Sequence, residues 1–194
     1  LDATKIHCIV AQQYLTGETR QWVGDECAQF GGWSGKIDQF IMHNGISFDG
    51  PILNRLANAK IRPDQIRDTL IESQLYNPVR DGGHSLQSWG ERLNYTKGEL
   101  HEFSEYSPEM LEYCIRDTEL TRKLGVSLEK EGRIFSPQAY ELERQVRSII
   151  DKQQDNGFAF DIMGGQILLA QLEDEQYQLG CQAEEMFKPT EVQL

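Results

Sequence analysis

The sequence of 194 residues is short of several things that would assign it to a class quickly. No apolar run approaches the ~20 residues needed to span a bilayer. The four cysteines, at 8, 27, 114 and 181, are widely spaced and form no CxxC pair. That spacing excludes a zinc ribbon and a disulfide framework and suits a reducing compartment such as the cytoplasm. The opening "LDATKIHCIV" has neither the basic start nor the cleavage site of a signal peptide, and no initiator methionine, which suggests a fragment. Positive charge is also in deficit. The formal net charge is −12, whereas a protein that grips nucleic acid mainly through its phosphates is basic, so a simple nucleic-acid clamp is disfavoured. An enzyme that meets a strand end through bound cations is not, because clustered carboxylates are how a protein collects them. There is no internal repeat and no low-complexity tract.

What is there is an ordinary globular mixture, 39% hydrophobic and 26% charged, long enough for one well-buried domain plus an extension. Ile6, Cys8 and Val10 alternate, a turn follows at Thr16-Gly17, and Gln21-Trp22-Val23 resumes, which predicts a β-hairpin. "GKIDQFIMHNG" reads as a short helix entering a buried strand at 40–43 that stops at Asn44-Gly45. Helical spacing follows from Asp49 and again over Leu70, Ile71 and Leu75, up to a break at Asn77-Pro78. Ser85 is the expected N-cap of a further helix carrying Leu86, Trp89 and Leu93. Ser107, Pro108 and Glu109 mark the start of another. A composition change near 136 introduces a long helix over about 137–154, a short strand at Phe158 and Phe160, and a last helix capped by Asp161. Strands and helices mixed in this way indicate an α/β sheet with helices packed on it.

Two places carry candidate chemistry. Tyr113 and Asp117 lie four residues apart on a predicted helix and share a face, so a hydroxyl and a carboxylate can serve one reacting water. The alternative is a tyrosine at the core edge and an aspartate in solvent. Asp49, four residues past His43-Asn44-Gly45, is either the N-cap of the helix that follows or a metal ligand. Asn44-Gly45 is equally a plain turn signal. Trp22, Trp33 and Trp89 are expected to pack in the core or hairpin rather than to stack on bases.

"HNGISFDGPIL" and "YCIRDTELTRKL" resemble the second and third exonuclease motifs of the DEDD 3′→5′ exonucleases, in the subtype with YxxxD in the third motif. "DTLIESQL" (68–75) and "HSLQSWGERLNYTKGE" (84–99) resemble the proofreading domain of family A DNA polymerases, the DNA polymerase I group, with short-tailed bacteriophage polymerases as the best likeness. "LERQVRSIIDKQQDNGFAFD" (142–161) resembles the segment leading from that domain into the polymerase thumb. The resemblance implies a ribonuclease H-like exonuclease fold, a mixed sheet flanked by helices, over residues 1–136, and a C-terminal helical extension over 137–194. It implies proofreading 3′→5′ exonuclease activity with two divalent ions, Mg²⁺ or Mn²⁺. Asp49 and Asp117 would be their ligands, Tyr113 would position the attacking water, and Asn44 and His43 would meet the substrate strand. The single-stranded 3′ end of a frayed primer and a polymerase domain in the same chain are the implied partners.

The family's first motif, Asp-x-Glu on the opening and normally central strand, is expected a few residues before Leu1. Asp2 has no glutamate two residues on and does not replace it. The chain as written is therefore expected to hold half of the metal site and to be inactive or nearly so alone. Lys97 is a candidate phosphate contact or simply a solvated lysine. Two further readings stand beside this one: a stand-alone DEDD ribonuclease, against which the 142–161 segment argues, and a vestigial exonuclease fold kept as a scaffold or DNA-holding module.

Overall fold

The computed structural model describes residues 3–95 and 105–187, so Asp2 and Lys97 lie outside the described residues. By its contacts the chain divides into two compact units, residues 1–155 and 156–194.

The first unit begins with the hairpin. Strand β1 (Cys8–Gln12) pairs antiparallel with β2 (Thr19–Val23), Ile9 facing Trp22 in the register. Trp22 is buried and meets Phe30 edge-on at 5.1 Å between ring centres, with Trp33 at 4.9 Å. Such pairs add roughly 0.5–1.5 kcal/mol beyond the area they bury. They hold a short helix, α1 (Phe30–Ser34), whose two glycines make it a poor helix former by itself. The helix expected over 35–39 does not form. The N–H groups of Gly35, Lys36 and Ile37 donate back to Gly31, Trp33 and Ser34, so this stretch unwinds the end of α1.

Strand β3 (Phe40–Met42) pairs parallel with β4 (Ile66–Asp68). The sheet is thus α/β in character, but among the described residues the antiparallel and parallel pairs are two separate two-stranded sheets. Helix α2 (Asp49–Leu56) follows β3, and α3 (Thr69–Tyr76) follows β4 with no intervening loop. Helix α4 (Leu86–Arg92) starts at Ser85, whose hydroxyl accepts from the N–H of Ser88. Helix α5 (Pro108–Glu131) starts at Ser107, which caps the N–H of Met110. Both caps are where the sequence puts them.

Helix α5 lies across both sheets. At Gly125, a Cβ would stand 3.3 Å from the Tyr14 ring and 3.4 Å from Ile41, so the helix backbone closes on β3 and on the residues just after β1. The main core joins Ile9, Trp22, Phe30, Phe40, Ile46, Ile66 and Ile71, and a second cluster joins Trp89 to Leu124 and Leu128. Trp89 is wedged between the guanidinium groups of Arg80 and Arg92, 4.4 and 5.1 Å from the ring centre, and donates its indole N–H to Ser73. All three tryptophans serve packing, as expected. Helix α6 (Pro137–Asn156) completes the unit, anchored where the Tyr140 hydroxyl accepts from the N–H of Asp68 at 2.6 Å and donates to the carbonyl of Ile66.

The second unit is essentially one helix, α7 (Ile162–Met186), capped by Asp161 accepting from the N–H of Gly164. Phe158 and Phe160 do not form the expected strand. A single alternating pair with no partner to complete a ladder has no hydrogen bonds to stabilise it. No helix among the described residues is long and apolar enough to cross a membrane, and the four cysteines are free thiols.

Candidate active site

The stretch from Met42 to Asp49 is a tight connection whose path is dictated by two glycines and one left-handed residue. Asn44 has φ +62°, a conformation unfavourable for side chains other than glycine and tolerated best by Asn and Asp. Gly45 lies so close to the preceding strand that a Cβ would stand 2.3 Å from Met42 Cβ. Gly50 approaches the same turn from the other side, its N–H donating to the carbonyl of Gly45 at 2.8 Å. A Cβ there would stand 2.9 Å from that carbonyl oxygen. Two small residues therefore let helix α2 begin directly against the end of β3.

Asp49 is the first residue of α2 and not its cap. The cap position belongs to Phe48, which has no side chain able to accept a hydrogen bond. The first-turn amides are met by backbone instead, Gly50 by Gly45 and Ile52 by Phe48. Asp49 is thus a partly buried carboxylate at the start of a helix. Burial, followed by the charges of Asp68 and Asp117, raises its pKa from 3.8 to about 6. Asp117 comes from α5, far along the chain, so the fold brings these two sequence-predicted carboxylates into electrostatic range.

Tyr113 sits one turn before Asp117 on α5, and both are partly buried. His43 places Nδ1 3.0 Å from the Thr69 hydroxyl oxygen. That hydroxyl donates to the carbonyl of Met42, so the ring donates through Nδ1–H. Asn44 donates its backbone N–H to Asp68. Ser47, next along, donates to Asp151 of α6 at 2.7 Å. His84 likewise has a structural partner, its Nδ1 standing 2.8 Å from the Ser73 hydroxyl oxygen.

Asp68 and Tyr140 were not singled out by sequence reasoning. Asp68 precedes a helical run, a recognisable N-cap signal, and its carboxylate does accept from the N–H of Leu70. Nothing in the sequence around Tyr140 signals its contact with β4.

Hard carboxylate oxygens are the right donors for Mg²⁺ or Mn²⁺, and Asp49 and Asp117 supply them. Asp68 does not add a third, because both its oxygens face backbone amides. Among the described residues no group of three or more His, Cys, Asp or Glu side chains is placed to hold a metal ion. Asp49 and Asp117 thus match such an ion in donor chemistry only.

No family model matches the chain. Over 223 aligned residues it is 24% identical to the DNA-directed DNA polymerase of Escherichia phage T7, an alignment covering 81% of this chain and 31% of that protein. It is likewise 24% identical over 220 residues to the DNA-directed DNA polymerase of Enterobacteria phage T3, with the same coverage. The chain is distantly related to phage DNA polymerases. It spans about a third of the length of these relatives.

Proposed function

We propose that this chain carries the 3′→5′ proofreading exonuclease of a phage-encoded, family A DNA polymerase, on a ribonuclease H-like fold. The observation that carries the reading is the turn at the end of β3, fixed by Gly45, Gly50 and the Asp68 carboxylate, which starts Asp49 within electrostatic reach of Asp117 from α5. Kinship with phage DNA polymerases supports it. Residues 1–136 are the nuclease domain on this reading, and 137–194 lead toward a polymerase thumb. The substrate is the single-stranded 3′ end of a frayed primer, and the setting is the bacterial cytoplasm.

Asp49 and Asp117 would hold the divalent ions through their carboxylate oxygens. When bound, such ions activate water and stabilise the attacking and leaving oxygens of an in-line displacement. Tyr113 orients the attacking water through its hydroxyl. Asn44 and His43, at the end of β3, hold the terminal nucleotide of the strand. Burial of Asp49 keeps its carboxylate poorly solvated, which strengthens its attraction for a cation.

The test is nuclease activity of the natural protein that contains this sequence. That protein should shorten single-stranded DNA from the 3′ end in Mg²⁺ or Mn²⁺ and do nothing in a chelator. Release of nucleotides from the 5′ end, or activity untouched by chelation, would overturn the reading.

A further inference from the structure

Asp68 is 1% exposed, stands at the end of β4, and has no part in the chemistry described above. Its carboxylate is nevertheless the hub of the site. Oδ1 accepts from the N–H of Asn44 at 2.9 Å and from the N–H of Leu70 at 3.0 Å. Oδ2 accepts from the N–H of Ile46 at 3.1 Å. Three of the roughly four acceptor positions of a carboxylate are used.

Two of those amides belong to the turn between β3 and α2. With Asn44 left-handed, the N–H groups of residues 44 and 46 converge on one anion, the concave arrangement that a run of backbone amides makes when its handedness alternates. Here the anion is the protein's own side chain. The Asp68 backbone is fixed in turn, its N–H donating to the Tyr140 hydroxyl of α6. A chain of contacts therefore runs from α6 through Asp68 to the turn that launches Asp49.

We propose that Asp68 is a positioning residue of the nuclease site, a buried internal anion that holds Asn44 and Ile46 in place and so sets where Asn44 and Asp49 stand. This rests on the nuclease reading above. Groups that orient metal-binding residues without touching metal typically change activity about 10- to 100-fold when lost.

Asp68→Asn tests it, because the amide keeps the shape and turns an N–H donor toward backbone donors. In the natural protein that contains this sequence, hydrogen exchange read by mass spectrometry should speed up in peptides covering 43–48 and stay as in the wild type around Leu124 and Leu128. With a single-stranded oligonucleotide and Mg²⁺, kcat should fall about 10- to 100-fold, and KM should rise, because Asn44 loses its fixed place. Unchanged exchange at 43–48, or an unchanged kcat, overturns the proposal. If Asp68→Asn fails to fold, Tyr140→Phe decides, since it removes only the hydroxyl behind Asp68. Faster exchange at 43–48 with a smaller fall in kcat supports the proposal, and wild-type values in both overturn it. If the wild-type chain shows no nuclease activity, the nuclease reading falls, and exchange alone then decides whether Asp68 holds the turn.

Discussion

The two halves of the site are built in opposite ways. The 43–50 turn is determined many times over: by Gly45 against Met42, by the Gly50 amide on the carbonyl of Gly45, and by two amides on one buried carboxylate. The α5 half needs only a well-started helix, because Tyr113 and Asp117 meet on one face through spacing alone. The first half gains its position from tertiary contacts and has little room for substitution anywhere along its backbone. The second sets Tyr113 and Asp117 by helical spacing, on a helix anchored elsewhere by the buried Leu120, Leu124 and Leu128.

The sharpest way to break that contrast is Asp117→Ala in the natural protein that contains this sequence. Turnover should fall at least ~10³-fold, as when an oriented catalytic group is lost, while circular dichroism and the melting temperature stay close to wild type. Near wild-type nuclease activity would remove Asp117 from the site. Next comes Gly45→Ala, which should cost about 1–3 kcal/mol in urea unfolding and take the activity with it, because the new methyl overlaps Met42 Cβ. A neutral result would mean the turn is looser than described.

A third variant, Asp49→Asn, should act in the stabilising direction. The folded carboxyl titrates at about 6 against 3.8 unfolded, so ionisation opposes folding. Stability attributable to this group is greatest below pH ~4, falls as pH rises between the two values, and stays low above 6. Replacing it should therefore raise stability at pH 8 by about 1–2 kcal/mol, discounted for its partial exposure, and change little below pH ~4. A difference that did not vary with pH would rule out this origin. The smallest effect belongs to Glu112→Ala, on the exposed face of α5. It should shift stability by less than about 0.5 kcal/mol and leave activity alone.

The same contrast governs what could be read from the sequence. The α5 half was legible because caps and helical spacing are local rules, and Ser107, Pro108 and the YxxxD spacing obey them. The hairpin and the starts of α2, α4 and α7 were legible for similar reasons. Strand β4 was not, because three residues are too few for an alternation and its existence depends on a parallel partner far back in the chain. Helix α1 was hidden because glycines weaken its local signal and distant aromatic contacts restore it. Asp49 reads equally as a cap or a ligand, and the placement of Phe48 at the cap answers only the first of these. Asp68 caps α3, a role its place before a helical run could have signalled. Its further bonds to residues 44 and 46 exist only once β3 and β4 lie side by side.

The Tyr140 hydroxyl has a consequence beyond the site. Ile66 and Asp68 alternate with Arg67 along β4, so the carbonyl and N–H that this hydroxyl engages lie on the strand's outer edge, away from β3. A short parallel pair with an open edge invites another extended chain to add on, which is a route to aggregation. One phenol from α6 occupies the donor and the acceptor that such an incoming strand would use. A chain cut before residue 140 would leave that donor and acceptor without this partner.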